Sequence, residues 1–517
     1  MAQNSAFYRS LRPALTASFI IAAAHTNPVY AQNSSIVVGL TEDIRGLDPA
    51  HERDGMSDPV HMHVVEGLVA YGDDLEVGPV LAASVSVEDG GKSYVFKLRE
   101  GVRFHDGSTL TAQDVKWSWD YLMGPDSIWR CKQVFDGAIK VAAVETPDPL
   151  TIVYRLEAPN GSFLYNLARP DCAGTPVFHS SSLSGEGKWS KVVGTGPFSL
   201  GERRIGQFTE INRFADYTAR TDEPNGRLGR KQALVDTVRF TVVADPSARM
   251  VGLRSGELDV TTVVPQAVDQ IKADPNLGIV TSDTTVWYAL LLNTQDPVLK
   301  DKRIRQAIAA AIDRTAVAQG VSFGHWAGTS TPVPSASRFY TKPADVAASP
   351  ERAKQLLAEA GYKGEPITIV ANKNFEGMFD QAVIIQALLQ AAGINSQIET
   401  VEWGLQLERY TKGNYQAQSF GYSGRFDPMG AWERIVGPES RKVWKDEAAT
   451  ALLKKGTEAA NPEDVRKISD ELYAMFIEEV PAVSLYHVNL ALGFNRRLEG
   501  VKASPLEAPT LWNVSIK

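Results

Sequence analysis

The sequence predicts a two-lobed α/β protein, and three observations carry the prediction. The first is length: 517 residues exceed what one hydrophobic core holds, so the chain forms at least two. The second is the strand–helix–strand run from Pro366 to Val401, the unit of a parallel sheet with a crossover helix. The third is the alternation of apolar and polar residues between 80 and 105, the mark of half-buried antiparallel strands. A mixed α/β first half is therefore expected to precede a second lobe built on βαβ units.

The elements follow in order. Ser35-Ile36-Val37-Val38-Gly39-Leu40 is apolar and β-branched, a strand. The Asp-, Gly- and Pro-rich segment Thr41 to Pro59 is a loop, and His63 to Val69 reads as the end of a helix entering a turn. Ala83 to Val87 and Tyr94 to Leu98 alternate, with the turn Glu88-Asp89-Gly90-Gly91-Lys92 joining them as a hairpin. Thr111-Ala112-Gln113-Asp114 opens a helix with an acidic first turn that carries Val115, Trp117, Trp119 and Tyr121. Ala248 to Ser255 is a helix stopped by Gly256, because glycine takes the left-handed conformation that ends a helix, and Leu258 to Val260 is a strand. Lys302 to Ala318 sets Ile304, Ala307, Ile308, Ala311 and Ile312 on one face and reads as a single helix. Ser349 caps and Pro350 starts a helix ending at Gly361. The strand Pro366 to Val370, a helix from Gln381 to Ala392 stopped by Gly393, and the strand Ser396 to Val401 complete the second lobe. Residues 325–350, rich in Pro, Ser and Thr, are a loop crossing that lobe.

The N-terminus sets the compartment. Arg9 and Arg12 precede the apolar run Ala14 to Ala24, and Val29-Tyr30-Ala31 offers small residues where signal peptidase reads. These are the parts of a secretory leader cleaved after Ala31, so the mature chain is expected in the periplasm. The leader holds two basic and no acidic residues, so its removal takes the formal charge from −8 to −10. A mildly acidic, well-mixed chain argues against nucleic acid and anionic lipid as partners. Cys131 and Cys172, the two cysteines, either close a disulfide in an oxidising compartment or remain buried thiols.

Motifs that carry catalysis are missing. Gly90-Gly91-Lys92-Ser93 lacks the first glycine and the strand-to-helix context of a phosphate-binding loop. Gly421-Tyr422-Ser423-Gly424 lacks the spacing of a nucleophile elbow. His61 and His63, with His51 nearby, are not accompanied by the further donors a metal centre needs. No enzyme activity, metal or cofactor is predicted.

Seven fragments, in order along the mature chain, resemble the family 5 extracellular solute-binding proteins, the dipeptide, oligopeptide and nickel-binding group of ABC importers. They are Gly46 to Ala50, Glu66 to Val69, Ser93 to Gly107, Thr111 to Val115, Val193-Gly194-Thr195-Gly196-Pro197-Phe198, Leu292-Asn293-Thr294 and Asp301 to Ala307. The resemblance implies a two-lobed periplasmic binding protein fold with an extra subdomain in lobe I and the ligand in the interlobe cleft. It implies lobe I over residues 32–286, the subdomain at about 76–190, lobe II over 287–490, and a return to lobe I over 491–517. Both cysteines would lie in the subdomain, where a disulfide is expected.

The resemblance also carries three segments to the ligand. Arg53, Asp54, Gly55, Met56 and Ser57 would line the cleft from lobe I. Asn372, Lys373, Asn374, Phe375 and Glu376, after a lobe II strand, would meet the ligand where dipeptide-binding relatives place an Arg and a Tyr. Tyr422, Ser423, Gly424, Arg425 and Asp427 form the third. Tyr422 keeps an aromatic platform, but Arg425 stands where peptide-binding relatives have an Asp for the ligand's ammonium. A guanidinium forks onto carboxylates and repels an ammonium. The expected ligand is therefore a small carboxylate-bearing solute, an opine-like sugar–amino-acid conjugate or a peptide-like molecule, passed to membrane permease subunits of an ABC importer by a monomeric receptor. A general di- or oligopeptide receptor is the alternative, and a nickel or metal-chelate receptor using His51, His61 and His63 is a further one.

Overall fold

The computed structural model describes residues 34–342, 347–375, 377–437, 441, 443–459 and 461–517; the expected leader, residues 1–31, and Glu376 lie outside them. Among the described residues no helix is long and apolar enough to cross a membrane.

One ten-stranded sheet runs through both lobes. Its order is 396–400, 367–371, 417–422, 277–292, 482–495, 260–262, 35–40, 237–242, 208–213 and 198–204. The two long strands, Leu277–Leu292 and Ala482–Asn495, are antiparallel and cross between the lobes. Their ladder breaks midway: Asp283 pairs with Asn489, but the next pair is Trp287 with His487. On one side of the break they join the lobe I strands. There Ser35–Leu40 lies parallel to both Thr237–Val242 and Val260–Thr262. On the other side Trp287–Leu292 pairs with Ala417–Tyr422, which is followed by the parallel pair Ile367–Ala371 and Ser396–Thr400. The helix Met378–Ala391 is the crossover between those two parallel strands.

The subdomain is a four-stranded antiparallel sheet, 82–88, 93–98, 151–156 and 141–148, with the helix Ala112–Met123 on it. Thr111 and Asp114 close a reciprocal cap at the start of that helix, so its first N–H groups are not left bare. Trp119 from its inner face packs edge-on against Phe135 at 5.2 Å and Tyr154 at 5.0 Å. Burying each such ring stabilises the subdomain by about 1.5–3 kcal/mol. Cys131 and Cys172 form a disulfide with Cα atoms 5.8 Å apart.

Two local expectations are corrected. Lys302 to Ala318 is not one helix but two, Lys302–Ala311 and Arg314–Ser322. Ile312 is extended, and the Asp313 side chain accepts from the Ala316 N–H, so an N-cap competes successfully with continued apolar periodicity. His63 to Val69 holds no helix: the helix is confined to Asp58–His61, and Val69–Tyr71 is a strand. Burial of Val64, Val65 and Leu68 against the lobe I core, rather than helical spacing, explains their apolar character.

Candidate ligand cleft

A cavity of about 710 Å³ opens between the lobes. That volume lies within the range of sites that enclose a small organic solute. Lobe I supplies Arg45, Arg53, Asp54, Gly55, Met56 and Asp58 from the loop after the first strand, and Arg227. The subdomain adds Arg130 and Asp171, the C-terminal return adds Leu506, Glu507 and Ala508, and lobe II adds Phe375, Ser423, Gly424 and Phe426.

The lobe I loop is fixed by its own polar groups. Asp54 accepts from the Ser57 N–H at 2.7 Å, the Ser57 hydroxyl at 2.8 Å and the Met56 N–H at 3.0 Å. Arg45 donates to its other oxygen at 2.7 Å. Burial alone would raise the Asp54 carboxyl, but the bonds from Ser57 and Arg45 outweigh it and hold it below its usual value. Arg53 forks onto Asp58 through Nε, at 2.9 Å, and Nη2. Across the cleft mouth Arg169 donates to both oxygens of Asp171, at 2.9 and 2.7 Å, with Arg130 at 3.5 Å. Burial opposes ionisation of Asp171, yet Arg169 and Arg130 bring its pKa down to about 2.

This pairing leaves an uneven remainder. Among the described residues Arg227 makes no side-chain hydrogen bond or ion pair, although it lines the cavity and burial lowers its pKa. Glu507 has one weak partner, the Thr285 hydroxyl at 3.4 Å. The residue is open to the water of the cavity, yet protein crowds its carboxyl, and this desolvation raises its pKa to about 7 against the pull of Arg434. Glu507 also has a positive φ of 69°, a conformation few non-glycine residues adopt.

The lobe II segments divide between the cavity and the core. Asn372 is fully buried and donates to Gln406 at 2.7 Å while its oxygen accepts from the N–H groups of Asn374 and Phe375. It shapes the turn that presents Phe375, which among the described residues of this segment is the one on the cavity wall. Asn374 donates to Glu402, and Lys373 lies over the Phe379 ring at 4.5 Å. Tyr422 stacks on Trp287 at 5.4 Å, and its hydroxyl bonds Tyr410 at 3.1 Å, so it stands within the lobe II core. Ser423 and Gly424 reach the cavity. The Arg425 guanidinium is half-buried and donates to the Gly424 carbonyl at 3.0 Å, with Arg169 and Asp171 as charged neighbours. Asp427 caps the helix Pro428–Val436 and accepts from the Ser162 hydroxyl of the subdomain at 3.3 Å. Burial raises its pKa to about 6.

The sequence pattern described as bacterial extracellular solute-binding proteins, family 5 Middle, matches residues 76–442. The chain belongs to family 5. An oligopeptide-binding protein of Bacillus subtilis, AppA, is 26% identical over 503 residues, which cover 92% of this chain and 90% of that protein. A glutathione-binding protein of Pectobacterium atrosepticum, GsiB, is 26% identical over 75% of this chain and 73% of its own. The solved structure of AgaA from A. tumefacien R10, in complex with agropinic acid, shares the fold with a TM-score of 0.69 at 23% identity, covering 93% of this chain and 99% of that one. Family 5 proteins are extracellular solute-binding proteins, and the two-lobed architecture is common to these structures.

The three histidines considered for a family 5 metal receptor do not converge. His51 pairs with Asp48 at 2.9 Å and Ser127 at 2.9 Å. His61 contacts the Gly46 carbonyl at 3.2 Å. His63 donates from Nδ1 to the Pro59 carbonyl at 2.7 Å and accepts at Nε2 from the Leu511 N–H at 2.9 Å, which occupies both ring nitrogens. Burial lowers the pKa of His61 to about 4 and of His63 to about 3, so both are neutral. Among the described residues no three His, Cys, Asp or Glu side chains gather as a metal-ligand set. Sequence reasoning missed Arg227, Asp171 and Glu507. Their segments carry no local motif, and they meet only because the subdomain and the C-terminal return fold over the same opening.

Proposed function

We propose that this chain is the exported solute receptor of an ABC importer, closing two lobes around a small carboxylate-bearing solute, peptide-like or opine-like. The observation that carries the ligand class is Arg227, a guanidinium lining the cavity without a side-chain partner among the described residues. A buried or half-buried cation is costly until a ligand anion answers it, so the cavity favours an acid group there. Relatives named for oligopeptide and glutathione binding support the same reading. Residues 32–286 and 491–517 act as one lobe and 287–490 as the other, with Arg53 to Met56 facing the ligand from the first and Phe375, Ser423 and Gly424 from the second, while the expected contact Ser57 is fully buried and braces Asp54 instead. Ligand contacts on both lobes draw the population to the closed form, which membrane permease subunits then meet. The receptor works as a single chain without catalysis.

Thermal shift of the purified exported chain against short peptides, glutathione, opines and nickel chelates tests this. A solute that binds only the folded form raises the melting temperature by mass action. Stabilisation by a carboxylate-bearing solute, lost in Arg227→Gln, supports the reading. Stabilisation by nickel chelates alone overturns it.

A further inference from the structure

Among the charged side chains of the cavity wall, three cations and three carboxylates are matched: Arg45 with Asp54, Arg53 with Asp58, and Arg130 with Asp171. Two opposite charges remain. Among the described residues Arg227 has no ion pair, and Glu507 has only the Thr285 hydroxyl. Through space Arg227 feels Asp58 most, then Arg53 and Glu507, but Asp58 is taken by Arg53, and Arg227 and Glu507 form no ion pair with each other. A cavity whose fixed charges are otherwise internally satisfied therefore presents one positive and one negative group to whatever fills it.

We infer that the ligand is a zwitterion, with its acid group on Arg227 and a free amino group on Glu507. This rests on the cleft-receptor reading and adds the second half of the ligand's charge.

The surroundings of Glu507 support the assignment. The residue holds a left-handed backbone conformation, φ 69°, in a segment that returns from the crossing strands to the cavity wall. Its Oε1 lies at Thr285, in the break between the crossing strands, and against Gly424 of lobe II. It thus touches both the pivot and the opposite lobe, where an ammonium bound to it would register closure. Behind it stands Arg434, on the last turn of the helix Pro428–Val436 and 2% exposed. Among the described residues its three guanidinium nitrogens have no hydrogen-bond partner, and it lies over the Tyr422 ring, 5.6 Å from the ring centre. Arg434 is the strongest charged influence on Glu507 and favours its ionised form, which is the form that accepts from an ammonium. Asp171 opposes ionisation and Arg227 assists it. Arg434 is thus a positioning residue acting through Glu507, not a ligand contact.

Isothermal titration of the exported chain with trialanine and glutathione, each beside its N-acetylated form, tests the inference. The wild type is expected to bind a free-amine solute at least about 30-fold more tightly than its acetylated counterpart, as loss of one partner from a desolvated charge pair requires. Glu507→Gln, which keeps the side chain's shape, is expected to bind the two forms equally, and Glu507→Asp to regain part of the discrimination. In Arg434→Met the amine-dependent binding moves to higher pH, because Glu507 loses the cation that favours its ionised form. A merely structural role for Arg434 would instead weaken binding equally at every pH. If the wild type binds acetylated and free solutes alike, or Glu507→Gln still discriminates, the inference is overturned while the receptor reading stands. If no solute of either form binds the wild type, the cleft-receptor reading falls and this inference with it.

Discussion

At Gly424 lobe II lies against the return segment of lobe I. A Cβ placed there would lie 2.2 Å from Glu507 Oε1 and 2.3 Å from Thr285 Oγ1, where ordinary contact begins at 3.4 Å. The Glu507 side chain can swing away, but Thr285 is fully buried in the crossing strand, next to Thr284, whose hydroxyl donates to the Val488 carbonyl at 2.8 Å. Gly424→Ala must therefore push the lobe II loop back by about 1 Å, the usual response to an atom added in a packed contact. Overpacking of this kind costs about 1–3 kcal/mol. The cost falls on the approach of the lobes and leaves each lobe's own core intact, so it appears in ligand affinity. Gly424→Ala should bind its solute about 5- to 150-fold more weakly by titration calorimetry. Its melting temperature without ligand should stay within about 2 °C of wild type, as for a substitution outside the cores. Unchanged affinity would show that the loop and Glu507 do not set the closed geometry. Equal loss of unliganded stability would show that the contact belongs to the fold and not to closure.

Removing the disulfide by Cys131→Ser with Cys172→Ser, which opens a loop of 41 residues, should destabilise the subdomain by about 3–4 kcal/mol in denaturant unfolding. Burial lowers the pKa of His61 to about 4 and of His63 and His487 to about 3, from 6.5. The fold favours their neutral forms, so this stability is fully present above pH 6.5 and is lost as pH falls towards 4. Unfolding free energies measured from pH 7 to 4 should decline by up to about 1.4 kcal/mol per pH unit for each histidine. Asp427 runs the other way: burial raises its pKa from 3.8 to about 6. Its contribution is present below pH 3.8 and is lost as pH rises through 6, and Asp427→Asn should flatten the stability profile across that window.

The fold was largely legible because its signals are local. Ser349, Pro350 and Gly361 bracket their helix as caps and stops should, and Gly361, with φ 70°, supplies the left-handed end. The split at Ile312–Asp313 escaped notice because apolar spacing continues through it, and a single aspartate cap decided the outcome. Of the loop Arg53 to Ser57, the first four residues lie on the cavity wall, whereas Ser57 is fully buried, because its side chain is needed to brace Asp54. The cleft was illegible where it depends on distant pairing. Arg45 and Arg53 are silenced by neighbours nine and five residues away, whereas Arg227 is left open for want of one. Nothing in the residues around 227 or 507 signals which guanidinium or carboxylate will remain unmatched. That is a property of the assembled charge set.

The break in the crossing ladder has a consequence for how such a receptor is tuned. From Asp283 to Trp287 one strand takes four steps while its partner takes two, from Asn489 to His487. Two surplus residues are thus stored as slack in one of the two straps that join the lobes, and surplus of this kind bends and twists a strand locally. That slack sits at the crossing between the lobes, where Thr285 reaches Glu507 on the cavity wall. Shortening or stiffening residues 284–286 would therefore move the stance of the lobes and the seat of the Glu507 carboxylate together, so aperture and ligand preference are coupled through Thr285.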